Sequence, residues 1–413
     1  DGAQYAWGMA TAQIQALNFT GLTSGQSLTG STIGGTVVVG QLQTIGAASL
    51  AVTTDAASPG YAIAAANTSG VVAGVLQFRA TNEAISLTDI GLQLTNTASS
   101  SSSDLTSVTI WDGSTQVGTA VFTGTGTTAT STFTSAVTLP KDTNKALTIK
   151  ANLAEIGNSS AATTSGRLIA IDYLGAKGTG SESGTTVWAT GSSAVAGVRV
   201  MKAYPTVAAD TLTQAGVADG KLMRFKVTAS SGNQIGLGRV EITLATTSAN
   251  VTSINVFGFT DSGYSQAISG LNTGGQFLTT SACASGCTVN GPTLAFYPQT
   301  TAAATTTVQI PAGSTYYFEV RGTVTGTATT YSVSTTLNGD NAYPSLDNTT
   351  VSLRFMGAMK IVPTASTVDT GTLNSFLWSP NSTTTSATTN NDWTNGYGLQ
   401  GLGASGITTT RTN

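Results

Sequence analysis

Ile85-Ser-Leu-Thr-Asp-Ile-Gly-Leu-Gln-Leu94 and Ile235-Gly-Leu-Gly-Arg-Val-Glu-Ile-Thr-Leu244 carry apolar residues at the same five places. They belong to a longer duplication. Leu76-Gln-Phe-Arg-Ala80 precedes the first as Met223-Arg-Phe-Lys-Val227 precedes the second, each with a basic residue after the aromatic one. Downstream, Asp104-Leu-Thr-Ser-Val-Thr-Ile-Trp111 matches Asn250-Val-Thr-Ser-Ile-Asn-Val-Phe257, and residues 139–153 match 310–324. Val200-Met-Lys-Ala-Tyr-Pro-Thr206 matches Ala358-Met-Lys-Ile-Val-Pro-Thr364. Five blocks in one order mark a repeat. The spacing grows between the third and fourth blocks of the second copy, where Cys283 and Cys287 lie. That predicts an insertion stapled by a Cys283–Cys287 disulfide, which needs an oxidising compartment. A two-thiol metal site is the alternative, with no histidine to complete it.

Inside the blocks the hydrophobic period is two. Leu147, Ile149, Ala151 and Leu153 alternate with Thr148, Lys150 and Asn152, the pattern of strands buried on one face. Clusters such as Asp112-Gly-Ser and Asn338-Gly-Asp punctuate the strands as turns. Residues 8–17 come nearest to a helix, and Thr36-Val-Val-Val39 is a candidate strand. The expected fold class is all-β: tandem immunoglobulin-like β-sandwich domains with extended terminal segments. The expected divisions are a Gly/Ser/Thr-rich segment 1–70 with assembly or anchoring strands, a sandwich at 71–206, and a second sandwich with the Cys-containing insertion at 207–365. An aromatic-containing assembly segment at 366–413 completes the chain. The terminal segments are too short for cores of their own and are expected to complete a sandwich by adding an edge strand, in the same chain or a neighbouring copy.

The composition narrows the function. Charged residues make up 8% of the chain and hydrophobic residues 40%, so it buries cores yet lacks the dense charge that keeps soluble proteins apart. A net charge of −3 without basic clusters argues against a nucleic-acid partner. No run of eighteen apolar residues reads as a transmembrane segment. The chain begins at Asp1 without Met, so a processed product that has lost its export signal is expected. Asn-x-Ser/Thr sequons, the sites of possible glycosylation, stand at Asn18, Asn67, Asn158, Asn250, Asn348 and Asn381.

Histidine is absent, which removes Ser-His-Asp and Cys-His chemistry. Gly396-Tyr-Gly-Leu-Gln-Gly401 spells a dinucleotide fingerprint without the strand and helix that give it meaning, and reads as turn. The acidic residues Glu83, Asp89, Asp104, Asp172, Glu241 and Glu319 are scattered singly, so the expectation is no enzyme and no catalytic residue. The expected cofactor is none, or calcium, with Asp340 and Asp347 as the candidate metal ligands in the loop 338–348; an ordinary Asx-rich loop is the alternative. Trp378 and Trp393 lie outside the repeat and are the candidate docking aromatics, with structural packing as the alternative.

The tail Ser375-Phe-Leu-Trp-Ser-Pro-Asn-Ser-Thr383, followed by Thr389-Asn-Asn-Asp-Trp-Thr-Asn-Gly-Tyr397, resembles the ending of large Ser/Thr-rich surface proteins of ultra-small bacteria of the candidate phyla radiation. Their bodies are similar in the Phe-Arg-Ala-Thr strand and the Ser-Val-Thr-Ile-Trp-Asp-Gly hairpin. The resemblance implies an S-layer or envelope protein. Such relatives often carry peptidoglycan-binding modules upstream, and none is read here. The expectation is therefore an extracellular structural protein of a bacterial cell surface, self-assembling with copies of itself into a lattice or filament, with a cell-wall component as a further partner. An adhesin or pilus-like subunit binding surfaces or saccharides is the alternative, and a polysaccharide-active enzyme a weaker third.

Overall fold

In Ile85–Leu94 the apolar phase breaks once: Leu87 and Ile90 are three apart where two would continue the alternation. Ile235–Leu244 breaks identically between Leu237 and Val240. A β-bulge sits at each break, which lets both halves of the strand keep their apolar side chains inward. Leu87 and Asp89 face successive partners Gly178 and Lys177, leaving Thr88 over. Leu237 and Arg239 face Trp378 and Leu377, leaving Gly238 over.

The computed structural model describes residues 47–94, 101–156, 165–279, 293–298, 307–342, 375–382 and 393–413, with short pieces at 4–5, 18–20, 23–24, 26–29 and 43–44. The first unit comprises β1 (Ser49–Thr54), β2 (Ala62–Ala65), β3 (Val71–Thr81), β4 (Ile85–Leu94), β5 (Leu105–Asp112), β6 (Thr115–Ala120), β7 (Thr128–Leu139), β8 (Asn144–Leu153), β9 (Arg167–Ile169), β10 (Ile171–Gly180), β11 (Thr186–Ser193) and β12 (Val198–Met201). One sheet has the order β6-β5-β8-β3-β1 and the facing sheet β7-β4-β10-β11, and β9-β12-β2 form a third, three-stranded sheet. Leu76, Phe78, Ile90, Leu92, Ile110 and Leu147 are wholly buried between them.

The second unit repeats the plan with β13 (Pro205–Asp210), β14 (Lys221–Ala229), β15 (Ile235–Thr247), β16 (Ala249–Phe259), β17 (Leu278–Thr279), β18 (Thr293–Tyr297), β19 (Val308–Ile310), β20 (Thr315–Gly326), β21 (Ser332–Leu337), β22 (Phe376–Ser379) and β23 (Ile407–Thr412). Its sheets are β13-β14-β20-β16 and β17-β18-β15-β21-β23, with β19 and β22 also on β15. Phe225 and Phe318 stack in its core with ring centres 5.1 Å apart.

The chain is thus all-β, in tandem β-sandwiches. The duplication is visible at side-chain level: Lys150 lies 4.0 Å from the Trp111 ring centre, and their repeat partners Arg321 and Phe257 lie 4.4 Å apart. The sheets do not follow the divisions drawn at residues 70, 206 and 365. The first strand of each sandwich, β1 or β13, pairs with the strand that opens the repeat, so each unit starts earlier than its most similar block. The tail strands β22 and β23 pair within this chain, on β15 and β21. Residues 8–17, 36–39 and 358–364 lie outside the described residues.

Glu83, in the β3–β4 turn, holds the β10–β11 turn. Its Oε2 accepts the amides of Glu182 and Ser183 at 2.8 and 2.9 Å, and its Oε1 accepts the Ser183 hydroxyl at 2.6 Å. The Ser183 hydroxyl and these amides keep the carboxyl below its usual range. A lowered folded value means the contribution is full above the ordinary carboxylate range and is lost as pH falls through the folded value. Glu83→Gln should therefore lower the melting temperature at neutral pH and flatten its fall on the acid side; parallel pH profiles for the two proteins would contradict this role.

Candidate functional site

The second sandwich is finished by its tail, and the seat of that tail is where the sequence-expected site residues converge. β15 pairs along one edge with β19 through residues 235–237 and with β18 through 240–243. Along the other edge it pairs with β21 through 242–247 and with β22 through 236–240. β21 and β22 run in the same direction, end to end, although residues 338–375 separate them in sequence.

The first unit shows what this replaces. There β10 covers the whole edge of β4, with Tyr173 opposite Leu92, Ala176 opposite Ile90 and Thr179 opposite Ser86. In the second unit Leu337 stands opposite Ile242, Phe376 opposite Val240 and Ser379 opposite Gly236. Phe376–Ser379 therefore occupies the place of Ala176–Thr179, and the stretch 338–375 is inserted where the first unit has only Leu174 and Gly175.

Two carboxylates sew the ends of this insertion together. Glu241 is the β15 residue at the gap. Its carbonyl accepts the Asn338 amide at 2.9 Å, and its Oε1 accepts Asn338 Nδ2 at 2.9 Å and Ser375 Oγ at 3.2 Å. Its Oε2 pairs with Arg239 Nη2 at 2.6 Å. Asp340 is 2% exposed and accepts three backbone amides: Ser375 on Oδ1 at 2.8 Å, and Phe376 and Gly396 on Oδ2 at 3.2 and 2.8 Å. Burial pushes its carboxyl above the usual range, the amides oppose that shift, and the Glu241 charge adds to it. An open cleft of about 340 Å³ lies beside the junction, walled by Glu241, Asn338, Asn341, Ser375 and Ser405.

Asp340 thus serves as the acceptor for the backbone at the base of the insertion. Its expected companion Asp347 lies outside the described residues, and among those residues no group of three metal-ligating side chains assembles. The two carboxylates that do meet, Glu241 and Asp340, are each engaged by three protein donors, and Asp340 is not on the cleft wall.

Trp378 and Trp393 are corrected from docking aromatics to core. Both are wholly buried, and Trp378 Nε1 donates to the Asn395 carbonyl at 2.7 Å. Leu399 and Leu402 join Phe376 and Trp378 in the second core. The Gly396–Gly401 run packs rather than binds a phosphate. Gly401, at φ +85°, lies so close to the Val207 carbonyl that a Cβ would overlap it, and Gly398, at φ +75°, lies against the Tyr61 ring. Tyr397 also meets Tyr61, with ring centres 4.7 Å apart, so the tail touches the first unit as well.

The sequons fare differently. Asn381 is corrected as a glycosylation site: it is 3% exposed, and its Nδ2, the atom a glycan would take, donates to Gln309 Oε1 at 2.6 Å. Asn67 is exposed in a turn, Asn250 is half-buried in β16, and Asn18 opens the strand 18–20. Asn158, Asn348, Cys283 and Cys287 lie outside the described residues.

Other charges are similarly occupied. Glu319, wholly buried, receives Arg224 Nε at 2.6 Å and Arg321 Nε at 2.5 Å. Arg224 lies 3.8 Å from the Tyr264 ring centre, and Tyr264 donates to Asp210 at 2.8 Å. Asp104 takes Arg167 Nη1 on both oxygens at 2.9 and 3.1 Å. The aromatic that sequence reading missed is Trp188 on β11, 67% exposed. The alternation Thr186-Val-Trp-Ala was its signal, since Val187 and Ala189 point inward and place Trp188 outward.

No family model and no curated protein matches the chain. Among solved structures it is similar to a serine-rich repeat adhesion glycoprotein from Streptococcus agalactiae, at 8% identity over 70% of this chain and 91% of that one, TM-score 0.16. It is also similar to the B domain of a biofilm associated protein, at 9% over 70% and 81%, TM-score 0.20. A third similarity is to the major pilin subunit of Bacillus cereus, at 9% over 72% and 61%, TM-score 0.21. Likenesses this loose carry no inference about activity.

Asp340→Ala strands three buried amides and should cost about 3 kcal/mol or more at roughly 1–3 kcal/mol each. Trp378→Ala should cost about 3–5 kcal/mol, whereas the exposed Trp188→Ala should stay within about 0.5 kcal/mol. Urea unfolding of the three variants measures this; an Asp340→Ala protein as stable as the parent would show that the amides do not depend on it.

Proposed function

We propose that the chain is a passive structural subunit of an extracellular bacterial surface layer, built to pack against copies of itself. The observation that carries this reading is the chemistry of its outward faces. β7 exposes Thr128, Thr130, Thr132, Thr134, Ser135, Ala136 and Thr138 while burying the residues between them. β23 exposes Thr408, Thr410 and Thr412 and turns its one charge, Arg411, inward onto Asp219 and the Gln214 and Lys221 carbonyls. Several of the few charges, among them Arg167, Arg224, Arg239, Glu319 and Arg411, are held in ion pairs, and these two strands turn mostly hydroxyls to water.

Such faces are hydrated but weakly repulsive, so close packing between copies meets little electrostatic opposition. Among the described residues no helix is long and apolar enough to cross a membrane, and the sequence contains no histidine. A structural role needs neither. An adhesin is the second reading, favoured by the exposed Trp188.

Electron microscopy of the purified protein across a concentration series, with calcium and with a chelator, tests the proposal. Ordered sheets or tubes are expected, insensitive to salt because few surface charges participate. A monodisperse particle under every condition would overturn the coat reading and leave the adhesin.

A further inference from the structure

Across the outward face of the β7-β4-β10-β11 sheet, pairing register sets Thr132, Asp89, Lys177 and Trp188 side by side in one row. Each member is positioned by its neighbour. Thr132 Oγ1 donates to Asp89 Oδ1 at 2.6 Å, and Thr88 Oγ1, from the bulge, donates to Oδ2 at 2.8 Å. Lys177 Nζ lies 5.4 Å from the Trp188 ring centre. Trp188 is the most exposed of the large apolar side chains among the described residues, at 67%.

The adjacent row has glycine at its two central positions. Thr130 pairs with Gly91, Gly91 with Gly175, and Gly175 with Thr190. Gly175 adjoins the bulge after Tyr173, and Gly91 stands opposite it; sterics require neither. Neither has a positive φ, and a Cβ would find its nearest neighbour at 3.6 Å on Gly91 and 3.4 Å on Gly175, ordinary contact distances. A strand glycine weakens the strand and marks a bulge, a tight bend or a place where a ligand or another backbone comes close; the bulge accounts for Gly175, and the open outward face beside Trp188 is what leaves room for a ligand. The two glycines leave a side-chain-free step running beside the row, with Leu174, 39% exposed, next to it.

We propose that this step is a binding site for a neutral hexopyranose chain, with Trp188 as the stacking platform and Asp89, Lys177 and Thr132 as the hydroxyl-binding groups. The chemistry fits that class. A pyranose presents a C–H face that packs on an indole and a rim of hydroxyls that both donate and accept. Asp89 supplies an acceptor, Lys177 a donor, and Thr132, whose proton goes to Asp89, a second acceptor. One acid and one base in the row sum to no net charge, which gives a polyanion no advantage. The apolar content, one indole and one leucine, is far below the core of a protein interface of about 1,000 Å² or more, so a saccharide suits the surface better than a second copy of the chain. The site does not depend on lattice formation, and its success or failure leaves the assembly test independent.

Isothermal titration of the full chain with cellohexaose, chitohexaose, mannohexaose and a soluble α-glucan tests it. At least one of these is expected to bind, with Trp188→Ala weakening it about tenfold or more. Thr132→Ala should weaken it less, and Gly175→Val, which adds only bulk to the step, should abolish it. Unchanged melting temperatures would verify folding, and the Thr132 variant keeps the test intact should Gly175→Val fail to fold. Silence across all four saccharides would overturn the proposal. So would binding indifferent to Trp188→Ala, or concentration-dependent self-association that Trp188→Ala removes, which would assign the patch to a second copy.

Discussion

An interior strand must be hydrogen-bonded along both edges, because a buried amide or carbonyl without a partner costs as much as several good contacts supply. β15 is such a strand, and the second sandwich is arranged around satisfying it. β21 covers only residues 242–247 of one edge. The remainder is covered by Phe376–Ser379, which arrives after the long excursion 338–375. From that single requirement follow the burial of Trp378 and the engagement of Glu241 with both ends of the excursion. The burial of Asp340 among three amides and the glycine-rich packing of 396–401 follow from it too. A carboxylate whose ionised form is disfavoured by burial is retained there because its two oxygens gather amides from Ser375, Phe376 and Gly396, which no apolar residue could satisfy.

The same economy governs the rest of the charged side chains. The cation–aromatic pair Lys150–Trp111 and its repeat partner Arg321–Phe257 cover the outward face of equivalent strands. Glu319 is held between two arginines, and Arg411 is turned inward. With so few charges to begin with, internal pairing leaves outward faces of threonine, serine and glycine. That surface is the physical link between the fold and a role in close packing. The Asp89–Lys177–Trp188 row departs from it, with a charged pair set beside an aromatic ring that is 67% exposed.

Much of this was legible in the sequence. The period-two blocks gave the strands, the five-block repeat gave two sandwiches, and the displaced apolar phase at Leu87–Ile90 and Leu237–Val240 encodes the bulges. That the tail adds strands to a sandwich was legible from its length; its seat on β15 was not, for a specific reason. The first-unit equivalent of Phe376-Leu-Trp-Ser379 is Ala176-Lys-Gly-Thr179, so no residue similarity links the two, and the pairing of Trp378 with Leu237 spans a separation that local patterning does not report. Trp378 and Trp393 therefore stand in the sequence as docking candidates or packing residues alike, and their burial decides for packing. Asp340 reads equally as a calcium candidate or an Asx-loop residue, because a loop of Asn, Gly and Asp has the same composition whether its oxygens meet a cation or backbone amides. Trp188 was missed because its strand has no partner among the repeat blocks.

Amide hydrogen exchange on the intact chain tests the central claim most directly. If the tail completes the second sandwich, the amides of Phe376, Trp378, Thr394 and Gly396 will exchange as slowly as those of Leu237 and Ile242, because all open only when the sandwich unfolds. Tail amides exchanging at the rate of an unfolded peptide, while β15 stays protected, would contradict the account.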